Sequence, residues 1–319
     1  MKDQPQNAID PLEAFLARSG TMILDGGLAT ELEFRGYDLS DDLWSARLLI
    51  DEPEAITQVH YDYLVAGADC IISASYQGTI AGFMRRGLSH QEAKKLLKLS
   101  VELAVEARDR FWADPTHRAG RVKPLVAASI GPYGAFLADG SEFTGAYDLT
   151  KDGLLDFHRP RWQILTESAA DIMACETIPS LVEAQVLTEL FLETPGRSGW
   201  ISFSCEDSSQ LNDGTPIRQA AAMLDPIDNI KAIGINCTSP EYIEGLIGEV
   251  HKSTHKSVVV YPNSGEVYDP VAKKWRGEAD TARYADACEL WRDSGASIIG
   301  GCCRTRPEHI RLIRKRLIG

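Results

Sequence analysis

The sequence predicts an α/β protein folded as a single closed (β/α)8 barrel of the TIM type, on three observations. Eight short β-branched runs alternate along the chain with segments of helical periodicity. Turns from helix to strand are tight, whereas connections from strand to helix are long. No Gly-x-Gly-x-x-Gly turn follows the first strand, which removes the usual signal of the runner-up, a doubly wound open sheet.

In chain order, Met1–Gly20 reads as a ragged start plus a short helix. The eight runs are Thr21–Gly27, Asp69–Ser75, Pro124–Gly131, Asp171–Thr177, Gly199–Cys205, Ile230–Cys237, Ser257–Gly265 and Ser297–Cys303. Between them lie segments with apolar residues at helical spacing, such as Gln91–Trp112, with Ala93, Leu96, Leu97, Leu99, Val101, Leu103 and Ala104, and Thr281–Ser294. Gly67 and Gly295 stand where such helices stop, in positions that call for left-handed backbone. Leu28–Pro53, Tyr76–Ser89, Pro132–Leu149 and Glu266–Asp280 are the long connections. All follow strands, so they mark the C-terminal face, where barrels of this kind carry their sites. No linker or low-complexity tract interrupts the chain, and one domain is expected over residues 1–319.

Composition narrows the function. With 44% apolar and 25% charged residues the chain can bury a large core, and a net charge of −13 argues against nucleic acid or anionic lipid as partner. There is no apolar run behind a basic start and no stretch of about 18 apolar residues, so a cytoplasmic protein away from the membrane is expected. Seven cysteines, an odd number in a large chain, fit reduced thiols rather than a disulfide framework.

Three of those thiols stand out. Cys237 ends the sixth run in Gly234-Ile235-Asn236-Cys237, and Cys302-Cys303 end the eighth behind Gly300-Gly301. Strands six and eight share parity, so their tops can converge. Adjacent strand residues point to opposite faces, so Cys302 and Cys303 reach one centre only if the strand breaks down, and the dihedral freedom of Gly300-Gly301 is the expected means. Three thiolates suit zinc; an iron–sulfur cluster usually needs four cysteines, and structural zinc normally closes its shell with four protein ligands. Three therefore imply an open position for substrate. Cys70, Cys175 and Cys288 read as core, and Cys205 as core or as a fourth ligand. Two carboxylates can face the same mouth, Asp25 at the top of the first strand and Glu176 at the top of the fourth. Their bland alternatives are a turn residue before Gly26-Gly27 and a helix-start carboxylate ahead of Pro179.

In these residues the chain resembles the homocysteine S-methyltransferases, a group of zinc- and thiol-dependent barrels. The likeness runs through Leu24-Asp25-Gly26-Gly27, Asp42-Leu43-Trp44-Ser45-Ala46, Ala74-Ser75-Tyr76-Gln77, Gly131-Pro132-Tyr133-Gly134, Cys175-Glu176-Thr177, Gly234-Ile235-Asn236-Cys237, Tyr261-Pro262-Asn263-Ser264-Gly265 and Gly300-Gly301-Cys302-Cys303-Arg304. It implies zinc (Zn2+) on Cys237, Cys302 and Cys303, with the thiol of L-homocysteine in the open position and its ammonium group on Asp25 and Glu176. Trp44 and Tyr76 offer aromatic faces for a cationic donor, or else simply pack their loops. The segment Ser75-Tyr76-Gln77-Gly78-Thr79 with Gly82-Phe83 looks like the sulfonium-using branch, so S-methylmethionine is the expected donor, with S-adenosylmethionine next. Betaine as donor and a non-enzymatic zinc-binding barrel are the alternatives. With Gly319 as the last residue of the sequence, the folate and cobalamin domains of the cobalamin-dependent enzyme are not expected.

Overall fold

A computed structural model describes residues 9–39, 44–269, 274–276 and 280–319. Eight strands form one all-parallel sheet: β1 (Met22–Ile23), β2 (Cys70–Ile72), β3 (Leu125–Ile130), β4 (Ile172–Ile178), β5 (Gly199–Phe203), β6 (Ile230–Asn236), β7 (Ser257–Tyr261) and β8 (Ala296–Ile299). Their spatial order is β1-β8-β7-β6-β5-β4-β3-β2. The circle closes where β2 returns to β1, through a parallel bridge between Leu24 and Cys70.

That seam has the thinnest ladder, and side chains reinforce it. The Asp69 N–H donates to the Ile23 carbonyl at 2.6 Å, while the buried Asp69 carboxylate accepts from the Ile23 N–H at 3.2 Å. Arg121 and Arg314 neutralise that carboxylate at 3.1 and 2.9 Å, as a buried charge requires.

The strands are covered on both faces, which is why they read as nearly continuous apolar runs. Alternation still sorts them. Leu24, Ile172, Ala174, Trp200, Val259 and Tyr261 fill the barrel, whereas Met173, Cys175, Ile201, Val258 and Val260 pack against the helices. Cys175 thus faces away from the barrel interior, as the alternation predicts.

The helix Pro11–Ser19 starts on an Asp10 cap that accepts from the Leu12 and Glu13 N–H groups. Its Leu12 and Phe15 join the interior cluster. The short N-terminal helix of the sequence reading is therefore a plug for the barrel. His90–Ala113 and Thr281–Asp293 realise the two periodic segments, and Gly67 and Gly295 take φ of 125° and 114°.

The long strand-to-helix connections differ from the expected open loops. They hold short helices at Leu28–Phe34, Ile80–Arg85 and Tyr133–Leu137, and an antiparallel strand pair, Val267–Asp269 with Lys274–Arg276. Seven-residue or shorter helices gain little from periodicity and depend on their packing, so the sequence signal for them is weak. No helix among the described residues is long and apolar enough to cross a membrane.

Candidate metal centre and substrate pocket

Cys237 directly follows β6, and Cys302-Cys303 lie three and four residues past the end of β8. Cys237 Sγ lies 2.7 Å from Cys302 Sγ and 3.8 Å from Cys303 Sγ. Among the described residues this is the one group of potential ligands found close enough to hold a metal ion. Cys70, Cys175, Cys205 and Cys288 are buried elsewhere, so Cys205 is core rather than a fourth ligand.

The strand does break down as expected, but for another reason. Gly300 and Gly301 are not in left-handed backbone; Cys237 and Arg304 are, at φ 49° and 66°. The left-handed turn costs a non-glycine residue roughly 1–3 kcal/mol and here aims the Cys237 side chain. The glycines are required by close approach. A Cβ on Gly301 would stand 2.3 Å from Thr305 Oγ1, and one on Gly300 2.5 Å from Leu24 Cβ. The chain past β8 is then tied down by the Gly301 N–H to the Asp25 carbonyl (3.1 Å), the Cys302 N–H to the Pro262 carbonyl (2.9 Å) and the Ser264 N–H to the Cys303 carbonyl (3.1 Å).

Three thiols this close cannot all ionise unaided. Hydrogen bonds from Cys237 and Cys302 hold the Cys303 thiol well below its usual range, while hydrogen bonding and burial push the other two up. The carboxylates of Glu33 and Glu142 add negative potential at Cys303. A cation bound by all three sulfurs removes that conflict, so the donor set suits a soft metal ion.

Asp25 and Glu176 come together beside the thiols. Asp25 is 3% exposed and accepts from the Ile72 N–H at 2.9 Å; burial raises its pKa well above the ordinary range, and the Glu176 charge adds to this. Glu176, 8% exposed, accepts from Ser129 Oγ. Burial pushes it up to about 8, helped by Cys302 and opposed by Ser129 and Tyr261. Among the described residues neither carboxylate is ion-paired with a cationic side chain, so there the two buried carboxylates face the mouth without a counter-ion.

Tyr76 is half-buried with its ring against Gly131, where a Cβ would lie 2.8 Å from two ring carbons. Burial and the neighbouring Cys237 charge raise its hydroxyl, and the Thr177 side chain opposes them. Both Cys237 and Glu176 act on it, so it belongs to the same mouth. The backbone of Trp44 opens a 3-10 turn, Trp44–Arg47, but its side chain, like Asp42-Leu43, lies outside the described residues.

Several residues at the mouth were given no role from sequence. Asn236 exchanges two 2.7 Å hydrogen bonds with Thr177, one to its N–H and one from its own amide to Thr177 Oγ1, and so holds Thr177 at φ 60° next to Glu176. Tyr261 bonds Ser202 Oγ at 2.6 Å and Trp200 Nε1 at 3.1 Å inside the barrel. Both stand within motifs already singled out, which was the available signal. Ser129 and Glu142 lie in a plain strand and a loop noticed only for its length.

A sequence profile described as homocysteine S-methyltransferase matches residues 22–317. The chain belongs to the homocysteine S-methyltransferase family. It is 52% identical over 305 residues to homocysteine S-methyltransferase YbgG of Bacillus subtilis, covering 96% of this chain and 97% of that one. Selenocysteine Se-methyltransferase of Brassica oleracea is 49% identical over 94% of this chain and 89% of its own length. The metallated crystal structure of the homocysteine methyltransferase MmuM from Escherichia coli superposes with a TM-score of 0.87 at 44% identity, over 96% of this chain and all of that one. Family membership accounts for the order of the motifs along the barrel.

Proposed function

We propose that this protein is a cytoplasmic enzyme that transfers a methyl group from a sulfonium donor, S-methylmethionine in preference to S-adenosylmethionine, to the thiol of L-homocysteine, forming methionine. Zinc would be held by Cys237, Cys302 and Cys303. The observation that carries the reading is the meeting of three thiols with two buried carboxylates that lack a counter-ion.

The donor set fits zinc. Tetrahedral thiolates at about 2.3 Å from zinc stand about 3.8 Å apart. Cys237 and Cys303 have that spacing, and Cys237 and Cys302 would open from 2.7 Å by about 1 Å on ligation. Bound there, zinc would keep the acceptor sulfur deprotonated at neutral pH and fixed in place.

The protein's own groups supply the rest. Asp25 and Glu176 would take the acceptor's ammonium, whose charge returns both carboxylates to the ionised state that burial opposes. Tyr76, beside Cys237, would offer its ring to the cationic donor for about 0.5–2 kcal/mol, with Trp44 as its companion from the first loop. The acceptor sulfur forms a new S–C bond to the methyl carbon as the donor's S–C bond breaks, and the electron pair of the broken bond stays on the departing sulfur. Opposite charges cancel, so a buried mouth favours the transfer.

A second acceptor has support in the 49% identity to a selenocysteine Se-methyltransferase. The test is methyl transfer by purified, zinc-loaded protein with S-methylmethionine, S-adenosylmethionine and betaine at equal concentration, followed as loss of the homocysteine thiol because S-methylmethionine yields two methionines per turnover, and followed as Se-methylselenocysteine when selenocysteine replaces homocysteine. S-methylmethionine should be fastest; betaine as the fastest donor overturns the sulfonium reading.

A further inference from the structure

We propose that Gln77 and Glu142 form the subsite for the α-ammonium group of the methyl donor, an assignment that rests on the sulfonium reading above. Three residues that flank Gly134-Ala135 in the loop after β3 each carry a buried oxygen without a hydrogen-bond partner: Gln77 Oε1, Ser141 Oγ and Glu142 Oε2. Buried oxygens are rarely left unpaired, and an unpaired carboxylate oxygen is the most costly of them. Gln77 Nε2 donates to the Ala135 carbonyl at 2.9 Å, which leaves Oε1 free as an acceptor. On the other side of the turn Glu142 packs against Gly134, where a Cβ would come within 2.3 Å of the Glu142 nitrogen and 2.6 Å of the Ser141 carbonyl carbon.

The loop cannot swing to relieve these oxygens, because a buried carboxylate clamps both its ends. Glu183, fully buried, accepts from the Tyr133 N–H at 2.6 Å and from the Tyr147 hydroxyl at 3.1 Å, and meets His158 Nε2 at 2.8 Å. The subsite also lies where a donor must sit. Tyr76 precedes Gln77, and the Glu142 charge is felt by both Tyr76 and Cys303.

The chemistry selects the ligand. Asp25 and Glu176 serve one amino acid, and a second amino acid in the same mouth needs its own anionic group. A primary ammonium offers three N–H donors to three acceptor oxygens, whereas the quaternary nitrogen of betaine offers none. Holding the ammonium rather than the sulfonium also spares the reacting charge, since a carboxylate on the sulfonium would stabilise the ground state.

The test uses full-length zinc-loaded protein at saturating homocysteine, with two donors: S-methylmethionine, and a dimethylsulfonium carboxylate that lacks the ammonium. Glu142→Gln should raise KM for S-methylmethionine about 10- to 100-fold, the range of a lost charge-assisted hydrogen bond. KM for homocysteine and for the ammonium-free sulfonium should move less than about threefold, a split that a merely structural role would not produce. Glu142→Asp should recover part of the loss, and Gln77→Leu, on a different loop, should show the same split should Glu142→Gln fold poorly. Equal rises for both sulfoniums, or a rise for homocysteine instead, overturn the subsite alone. Failure of the unaltered protein to use either sulfonium sinks the donor reading and the subsite with it.

Discussion

Gly301→Ala adds one methyl group to the barrel mouth and tests what builds the thiol cluster. The new Cβ would lie 2.3 Å from Thr305 Oγ1 and 2.6 Å from Thr305 Cβ and Cγ2. Thr305 is fully buried and cannot step aside. Its hydroxyl donates to the Cys302 carbonyl at 2.7 Å and accepts from the Gly27 N–H at 3.2 Å, so displacing it strains the two chains that carry Cys302 and Asp25. Overpacking costs about 1–3 kcal/mol and each of the two weakened hydrogen bonds about 1 kcal/mol, so a loss of roughly 3–5 kcal/mol is expected. In a chain of this size that is a fall in Tm of roughly 4–8 °C. Zinc should also be held more weakly, because Cys302-Cys303 move with their carbonyls. Calorimetry and metal analysis after dialysis measure both. Thr305→Ala already forfeits the two hydrogen bonds, so the double variant should be less destabilised than the sum of the single ones. A Gly301→Ala protein with unchanged Tm and full zinc would refute the close-approach argument.

The other expectations follow from the site and the core. Cys237→Ser and Cys302→Ser should each abolish zinc binding and methyl transfer, because two thiolates seldom hold a catalytic zinc; full occupancy in both would break the assignment. Glu176→Gln should raise KM for homocysteine about 10- to 100-fold with zinc retained, as a charge-assisted contact becomes a neutral one, and an unchanged KM would return Glu176 to a structural role. His60 is fully buried with both ring nitrogens unpaired, and burial lowers its pKa from 6.5 to about 4. At this site the folded state then binds fewer protons than the unfolded one between those values, so the contribution of His60 is intact above pH 6.5 and falls by about 3 kcal/mol as pH drops to 4. His158, also buried and lowered to about 4, adds a slope of the same sign, and Glu176, held up to about 8, one of the opposite sign, so the His60 share is the difference between the denaturant-midpoint profiles of the unaltered protein and His60→Leu from pH 7 to pH 4; identical pH dependence in the two would overturn it.

Sequence by itself determined the barrel, the eight strand positions and the three thiols. Strand runs such as Val258-Val259-Val260 and helices such as His90–Ala113 are long or apolar enough for periodicity to declare them, and neighbouring strands in a barrel need only that pattern and order. Strand parity was enough to bring Cys237 toward Cys302-Cys303. Tertiary structure decided how they meet. The left-handed turns at Cys237 and Arg304, the contact of Gly301 with Thr305 and the pairing of Asn236 with Thr177 join segments far apart in the chain, and no local pattern encodes a contact between them. The short helices over the mouth are held by packing rather than propensity, so they read as loops. Charge obeys the same division. Asp25 and Glu176 could be placed at strand tops from sequence, but that both are buried and without a counter-ion depends on everything folded around them, because desolvation is a property of the surroundings and not of the residue.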